Sequence, residues 1–100
     1  MRPIHKVRLD KTRPAVILTR EVATTFLHNI TVAPITTTIY DIATEVPVGV
    51  ANGLESESVI SCDNIMTVPG ASVLDRIGYL SDDAEFQLVE AIRAAFDLPD

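Results

Sequence analysis

Short apolar runs rich in Val, Ile and Thr recur along the first four fifths of the chain, separated by Asn, Asp, Gly and Pro. Branched side chains favour strands because they pack well on a pleated surface, and the separating residues favour turns. We therefore predict strands at Ile4 to Leu9, Pro14 to Thr19, Ile30 to Ile39, Thr44 to Val48, Val59 to Cys62, Ile65 to Val68 and Ile77 to Leu80. Five to seven short strands of this kind indicate a small, strongly curved sheet or barrel.

The end of the chain has a helical pattern instead. Ser81 can cap a helix, Asp82 and Asp83 suit its positive end, and Pro99 stops it. Apolar residues at helical spacing follow the cap: Leu88, Val89, Ile92, Ala95 and Phe96. A short helix is also predicted at Arg20 to Leu27. The predicted fold is mainly β, with a C-terminal α-helix, in a single domain spanning residues 1–100.

The composition is that of a globular protein, with 47% hydrophobic and 22% charged residues. No apolar run approaches the length of a membrane span, and the N-terminus lacks a signal peptide, so we expect a cytoplasmic protein. Cys62 is the only cysteine, and no Cys or His cluster has zinc-site spacing. We therefore expect no disulfide, no metal and no other cofactor.

The charge is distributed unevenly. The formal charge is -6 overall, yet the first 40 residues carry a net +4 and the remainder a net -10. The first segment holds six of the eight basic residues, namely Arg2, Lys6, Arg8, Lys11, Arg13 and Arg20. This asymmetry has two interpretations: a basic face that holds a phosphate chain, or the solvated outward positions of an edge hairpin.

Lys11 to Thr19 is a basic turn that runs directly into an apolar strand, and Val32 to Thr38 repeats the apolar pattern with three final threonines. Side chains of a strand alternate between its two faces, so Arg13 can face solvent at the start of the strand. Arg13 is thus a candidate anion contact. Taken without further context, residues of these kinds are more often structural: Arg13 an ordinary surface cation, Thr36 a β-branched strand residue and Asp63-Asn64 a turn pair.

Seven short sequence motifs, none of them specific alone, follow one another along the chain in a characteristic order. They are Lys11 to Thr19, Ala33 to Thr36, Glu45 to Val48, Ser58 to Ile65, Thr67-Val68, Arg76 to Leu80 and Phe96 to Leu98. In this order the chain resembles the MazF/PemK/Kid endoribonuclease toxins of bacterial toxin–antitoxin systems. The resemblance implies an SH3-like curved barrel with a C-terminal helix, forming a homodimer whose RNA groove crosses the subunit interface. It also implies metal-independent, sequence-specific cleavage of single-stranded RNA, leaving a 2′,3′-cyclic phosphate and a 5′-hydroxyl. A small antitoxin protein is the implied partner.

The resemblance assigns catalytic roles to Arg13, Thr36 and Asp63. Arg13 would stabilise negative charge in the transition state, Thr36 would donate to a phosphate oxygen, and Asp63 is the candidate base. We expect RNA contacts from Lys6, Arg8, Lys11, Thr37 and Asn64. The turn at Asp10 to Thr12 is much shorter than in the family, which leaves fewer contacts to RNA and a more open groove.

The remaining chemistry-bearing residues are predicted to be structural. We expect His5 to pack on a strand, His28 to cap a helix end, and Cys62 to be a buried strand residue. The aromatic residues have no spacing that predicts a stacking platform for bases; they are Phe26, Tyr40, Tyr79, Phe86 and Phe96.

Two alternative functions remain open at this point. One is a family member that binds antitoxin or RNA without cutting, which the short first turn and the acidic net charge would favour. The other is a protein-binding toxin like the gyrase poison CcdB, whose activity depends on a C-terminal tryptophan; this chain has no tryptophan.

Overall fold

The computed structural model describes residues 1–100, in which seven antiparallel strands form one curved sheet with a single C-terminal helix. The strands are β1 (Pro3–Arg8), β2 (Thr12–Ile17), β3 (Asn29–Thr36), β4 (Glu45–Val48), β5 (Ser58–Ser61), β6 (Met66–Pro69) and β7 (Val73–Tyr79), and the helix is α1 (Asp82–Phe96). This confirms the predicted fold class, the strand count and the terminal helix.

The sheet order is β4-β5-β3-β2-β1-β7, with β6 pairing to β3 beside β5. Strand β3 is therefore the centre of the sheet: β2 pairs along one flank, and β5 and β6 share the other. β4 is an edge strand, which explains how Pro47 is accommodated there.

The sheet buries apolar side chains on both faces because neighbouring residues of each strand point to opposite sides. On one face Ile4, Val16 and Ile60 pack with Leu80 and Leu88 under α1. The opposite face carries a second cluster of six buried residues: Val7, Ala15, Ile17, Ile30, Val32 and Val68. Continuous apolar runs such as that of β2 follow from this burial on both sides.

Several predicted boundaries are wrong. The strand predicted to reach Ile39 ends at Thr36, where β3 loses its last sheet partner. The helix predicted from residue 20 to 27 is only the 3-10 turn Glu21–Thr25, and the exposed His28 has no side-chain hydrogen bond and caps nothing. Cys62 is buried as expected but begins a 3-10 turn instead of ending a strand.

The start of α1 forms as predicted, and its end lies before the predicted stop at Pro99. The Ser81 hydroxyl accepts a hydrogen bond from the Ala84 amide at 3.1 Å, which satisfies one of the free N–H groups of the first turn. The helix ends at Phe96, and Asp97 adopts the left-handed conformation that often closes a helix.

Candidate active site

Arg13 and Thr36 lie on neighbouring strands at the same end of one sheet face. The pairing of β2 with β3 ends where Ala15 faces Pro34. If this register is extended by two residues, Arg13 comes opposite Thr36. Residues directly opposite in antiparallel strands project from the same face. The face is the one that carries Val7, which is the partner of Arg13 on β1.

The guanidinium of Arg13 is held by a carboxylate from the preceding turn. Its Nε lies 2.9 Å from Oδ1 of Asp10, and its Nη2 lies 3.1 Å from Oδ2. This paired hydrogen bond uses one edge of the planar group and leaves Nη1, with its two protons, free on the other. The Asp10–Arg13 pair is thus an oriented cation with one open donor edge.

The pair also fixes the charge of both partners. The Arg13 guanidinium, helped by the Lys11 backbone amide, holds the pKa of Asp10 well below the usual range of a carboxyl group. The same hydrogen bond raises the pKa of Arg13 above its ordinary value. The side chains are 31% and 69% exposed for Arg13 and Asp10, so the pair faces solvent and is accessible to a ligand.

Thr36 is the last residue of β3 and is half-buried. Its Oγ1 accepts a hydrogen bond from the Thr38 amide at 3.1 Å. The hydroxyl proton is not used by this contact and remains available for donation to an incoming oxygen. Thr37, the predicted RNA contact between these two residues, is exposed.

Asp63 lies on the other flank of β3. The 3-10 turn Cys62–Asn64 joins β5 to β6, both of which pair with β3, so Asp63 is separated from β2 by the central strand. Its Oδ2 accepts a 2.6 Å hydrogen bond from the Thr44 hydroxyl, and the residue is exposed. The neighbouring Asn64 donates to the Ser61 hydroxyl at 2.7 Å and keeps its amide oxygen free. The structure does not bring Asp63 into hydrogen-bond contact with Arg13 or Thr36.

Cys62 is not arranged as a nucleophile. The side chain lies in the core under α1 with 1% of its surface exposed. Burial, and to a lesser degree the charge of Asp63, raises the pKa of the thiol to about 11. The group is therefore a protonated core side chain at neutral pH.

The basic residues of the first hairpin do not share one face, as the first of the two interpretations of the charge distribution required. Lys6 and Arg8 alternate with Val7 along β1, so they point to the side of the hairpin opposite to Arg13. Lys11 is exposed in the turn next to Asp10. Strand alternation divides the basic residues of the hairpin between two faces, which a count of charges along the sequence does not reveal.

A separate cleft of about 800 Å³ gathers Arg2, Arg20 and Arg76 on the edge of the sheet formed by β1 and β7. His5 also lines this cleft, and its Nδ1 lies 2.8 Å from the Leu74 carbonyl oxygen, as expected for a packed strand histidine. None of the three predicted catalytic residues lines this cleft.

Three side chains that shape the site were not singled out from the sequence. Asp10 orients Arg13, Thr44 binds Asp63, and Glu45 binds the loop that follows Thr36. The role of Asp10 could have been found from the sequence, because an acidic residue three positions before an arginine across a tight turn can form an ion pair. The other two depend on contacts between separate elements.

Two structural findings bear on wider classes of function. No group of three His, Cys, Asp or Glu side chains comes together in the structure to hold a metal ion. No helix has the length and apolar character needed to cross a membrane.

Residues 4–96 match the model of a family described as PemK-like, MazF-like toxins of type II toxin–antitoxin systems. The chain is 57% identical over 98 residues to "Endoribonuclease MazF3" of Mycobacterium tuberculosis, covering 98% of this chain and 95% of that protein. It is 33% identical over 86 residues to "Probable endoribonuclease MazF5" of the same species, covering 85% of this chain and 79% of the relative.

Solved structures show the same fold. The "Mycobacterium tuberculosis toxin MazF-mt6" superimposes with a TM-score of 0.95 at 55% identity, covering 98% of this chain and 99% of the other. A mycobacterial endoribonuclease solved "in complex with its cognate antitoxin" superimposes with a TM-score of 0.86 at 21% identity, covering 98% and 94%. At that lower identity the match shows the fold alone.

Proposed function

Since the chain belongs to the PemK-like, MazF-like toxins of type II toxin–antitoxin systems and is an endoribonuclease, we propose that it cuts single-stranded RNA at short sequences without a metal ion. The products would carry a 2′,3′-cyclic phosphate and a 5′-hydroxyl. The observation that carries this proposal is the guanidinium of Arg13, oriented by Asp10 with one edge free and placed across from Thr36.

The reaction uses the 2′-hydroxyl of the substrate as its nucleophile. The 2′-oxygen attacks the adjacent phosphorus, its proton goes to a base, the bond to the 5′-oxygen breaks, and that oxygen takes up a proton. The five-coordinate intermediate carries extra negative charge on its non-bridging oxygens, so donors placed against them lower the barrier. The protein's task is therefore to position the phosphate and to move two protons.

Arg13 and Thr36 suit the positioning of the phosphate. The free Nη1 edge of Arg13 can donate to one non-bridging oxygen, and the free hydroxyl proton of Thr36 can donate to the other. A guanidinium stays protonated at physiological pH, so charge stabilisation is a better role for Arg13 than proton transfer.

Asp63 is our candidate for the base, with Oδ1 free while Oδ2 is bound by Thr44. Its place across β3 from Arg13 requires the RNA to lie over the end of that strand. Asn64, with a free amide oxygen, and Thr37 are the contacts we assign to the RNA on this side, with Lys11 near the turn. Lys6 and Arg8 point to the other face of the β1–β2 hairpin. They would contact the RNA only if the RNA strand wraps around this hairpin.

The proposed assembly is a homodimer that a small antitoxin protein inhibits. Both proposals are supported by the family, one of whose structural relatives is described in complex with its cognate antitoxin. A cytoplasmic location is proposed on the same basis. Light scattering at micromolar concentration should give the mass of a dimer, and a monomer would contradict that part of the proposal.

The test of the activity is incubation of the purified, antitoxin-free protein with long mixed-sequence RNA in EDTA, followed by mapping of new 5′ ends. We expect cuts at one short sequence bearing 5′-hydroxyls, and their loss in Arg13→Ala. Cutting that needs added Mg²⁺, or that persists in the variant, would contradict the proposed chemistry.

A second candidate, a relative that binds RNA or antitoxin without cutting, is favoured by one observation. The turn Leu9 to Lys11 is so short that it supplies only Asp10 and Lys11 beside Arg13. A folded protein that binds RNA with Arg13-dependent affinity but produces no new ends would establish this alternative.

A further inference from the structure

The loop that begins directly after Thr36 exposes a tyrosine. This β3–β4 loop, Thr37 to Thr44, carries Tyr40 with 71% of its surface exposed. Ile39 and Ile42 on either side are also about half exposed. Large apolar side chains brought together on an exposed loop usually indicate a surface that is covered by a partner.

The loop is irregular but firmly held. A single oxygen of Glu45, Oε1, accepts hydrogen bonds from the amides of Tyr40 and Asp41 at 3.0 and 2.9 Å. Asp41 adopts a positive φ of 56°, a conformation uncommon for a residue with a side chain. The Glu45 amide in turn donates to the Ile42 carbonyl at 3.0 Å. These contacts hold the backbone that carries Tyr40 before any ligand arrives.

Both ends of the loop are tied to predicted catalytic residues. At its start, the Thr38 amide donates to Oγ1 of Thr36. At its end, the Thr44 hydroxyl donates to Asp63, and the Thr44 carbonyl accepts from the Cys62 amide at 3.0 Å. The backbone of the loop that carries Tyr40 is therefore tied at both ends to residues that we assign to the reaction.

The charge around the loop selects which part of a nucleotide can lie against it. Its neighbouring charged groups are Asp41, Glu45 and, bound to Thr44, Asp63. The chain has no lysine or arginine between Arg20 and Arg76. A phosphate would be repelled here and attracted to Arg13, whereas an uncharged base would not be repelled. An RNA strand with one phosphate bound to Arg13 could therefore place a neighbouring base against the β3–β4 loop.

From these observations we propose that Tyr40 forms a nucleobase-stacking site, which holds a base of the RNA next to the scissile phosphate. The proposal rests on the RNA-cleaving function above and adds to it a specificity site on the β3–β4 loop. An aromatic ring stacks on any base, and tyrosine loses little conformational freedom in doing so. The hydrogen bonds that hold the loop backbone reduce the entropic cost of binding further, because the backbone is already ordered.

The first measurement uses the scarcity of fluorophores in the chain, which has two tyrosines and no tryptophan. In a Tyr79→Phe background, Tyr40 is the only tyrosine and reports its own environment. An RNA oligonucleotide containing the mapped target, with a 2′-deoxy group at the cut site to prevent cleavage, should quench this fluorescence at saturation. Tyr40→Phe, in which only Tyr79 remains, corrects for absorption by the RNA.

The second measurement compares binding and cleavage by variants of the loop. Tyr40→Leu should bind the uncleavable oligonucleotide about tenfold more weakly, while Tyr40→Phe stays within about twofold of the wild type. Ile42→Ala removes exposed apolar surface from the same loop without removing a ring, and we expect no change. In a series of abasic substrates, the wild type should lose affinity at one position where Tyr40→Leu loses none.

The outcomes separate this proposal from the one on which it rests. A wild-type protein that cuts RNA while Tyr40→Leu binds and cuts equally well would overturn the stacking site and leave the proposed function intact. Unchanged Tyr40 fluorescence at saturating RNA would also overturn it. If Tyr40→Leu instead weakens the dimer or antitoxin binding and leaves RNA affinity unchanged, the exposed patch is a protein interface and the proposal is wrong.

Discussion

Two connections border the candidate site, and they are held in different ways. The turn between β1 and β2, Leu9 to Lys11, is short and orients Arg13 through Asp10, a residue only three positions away. The β3–β4 loop is longer and is fixed by Glu45 and by the link from Thr44 to Asp63, a contact between residues 19 positions apart.

This difference separates two tasks that an RNA-cutting site must perform. The turn presents a charged donor in one orientation, which suits the stabilisation of a phosphate that every substrate shares. The loop presents exposed apolar and polar groups on a shaped backbone, which suits discrimination between bases. We therefore expect changes in the turn to reduce the rate of cleavage and changes in the loop to alter binding and sequence preference.

The largest expected effect is that of Arg13→Ala. Removal of a donor to the developing negative charge should lower kcat by about a hundredfold or more, with the fold retained because the side chain is partly exposed. Arg13→Lys should recover only part of this loss, since an ammonium cannot both hold Asp10 through a paired contact and donate from a second edge.

The matched control for this variant is Arg20→Ala, which removes an exposed cation outside the candidate active site. We expect no more than about a threefold change, because an exposed charge contributes little. If Arg20→Ala were as damaging as Arg13→Ala, net charge and not the oriented guanidinium would control the rate.

A smaller effect is expected for Asp10→Ala. The guanidinium would keep its charge but lose its fixed orientation, so we expect kcat to fall about tenfold with a smaller change in KM. Asp75→Ala is the control, since Asp75 is an exposed aspartate that makes no ion pair. Faster cleavage by Asp10→Ala would show that the carboxylate competes with phosphate instead of positioning Arg13.

A smaller effect on activity is expected for Glu45→Gln. This change weakens the side-chain oxygen that accepts hydrogen bonds from the Tyr40 and Asp41 amides. We expect KM to rise about threefold with little change in kcat, because the contact is exposed and acts on the loop alone. Hydrogen exchange of residues 38–43 should become faster, whereas the turn at 9–11 should not change. Glu57→Gln, at an exposed glutamate whose side chain makes no hydrogen bond, should affect neither.

The smallest effect on activity is expected at Cys62, whose amide anchors the end of the loop. Burial raises the pKa of its thiol to about 11, while an unfolded thiol ionises near 8.5. Between these two values the unfolded state releases a proton that the folded state keeps, so the free energy of unfolding falls as the pH rises. Below about pH 8 the thiol is protonated in both states, so it does not make the free energy of unfolding depend on pH.

Denaturant unfolding at pH 7.5 and pH 10 measures this term. The wild type should lose on the order of 1 to 2 kcal/mol more than Cys62→Ala across that interval. Contributions from groups that are the same in both proteins cancel in the comparison. Equal losses would show that the thiol does not stay protonated in the folded protein.

Much of the fold could be predicted because its signals are local. The helix α1 was identified by its cap and its apolar spacing, and all seven strands were located. The boundaries failed where long-range pairing decides them: β3 ends at Thr36 because β5 ends its pairing there, although Thr37 and Thr38 are equally good strand residues.

The candidate site was predictable only in part, for the same reason. The resemblance to known toxins singled out Arg13, Thr36 and Asp63, and the register of β2 and β3 explains why the first two belong together. It did not indicate that Lys6 and Arg8 face away, or that the loop carrying Tyr40 is tied to Thr36 and Asp63 by hydrogen bonds. Their roles as catalytic and RNA-binding residues stay predictions until the variants are measured.

The sequence by itself determined what depends on neighbouring residues and on order along the chain, namely the strand and helix types and the family. The tertiary structure decided what depends on pairing across the sheet, namely which face each charge occupies and which groups hold the β3–β4 loop. The physical reason is that alternation along a strand assigns a side chain to one of two faces, but only register and curvature determine what lies on that face.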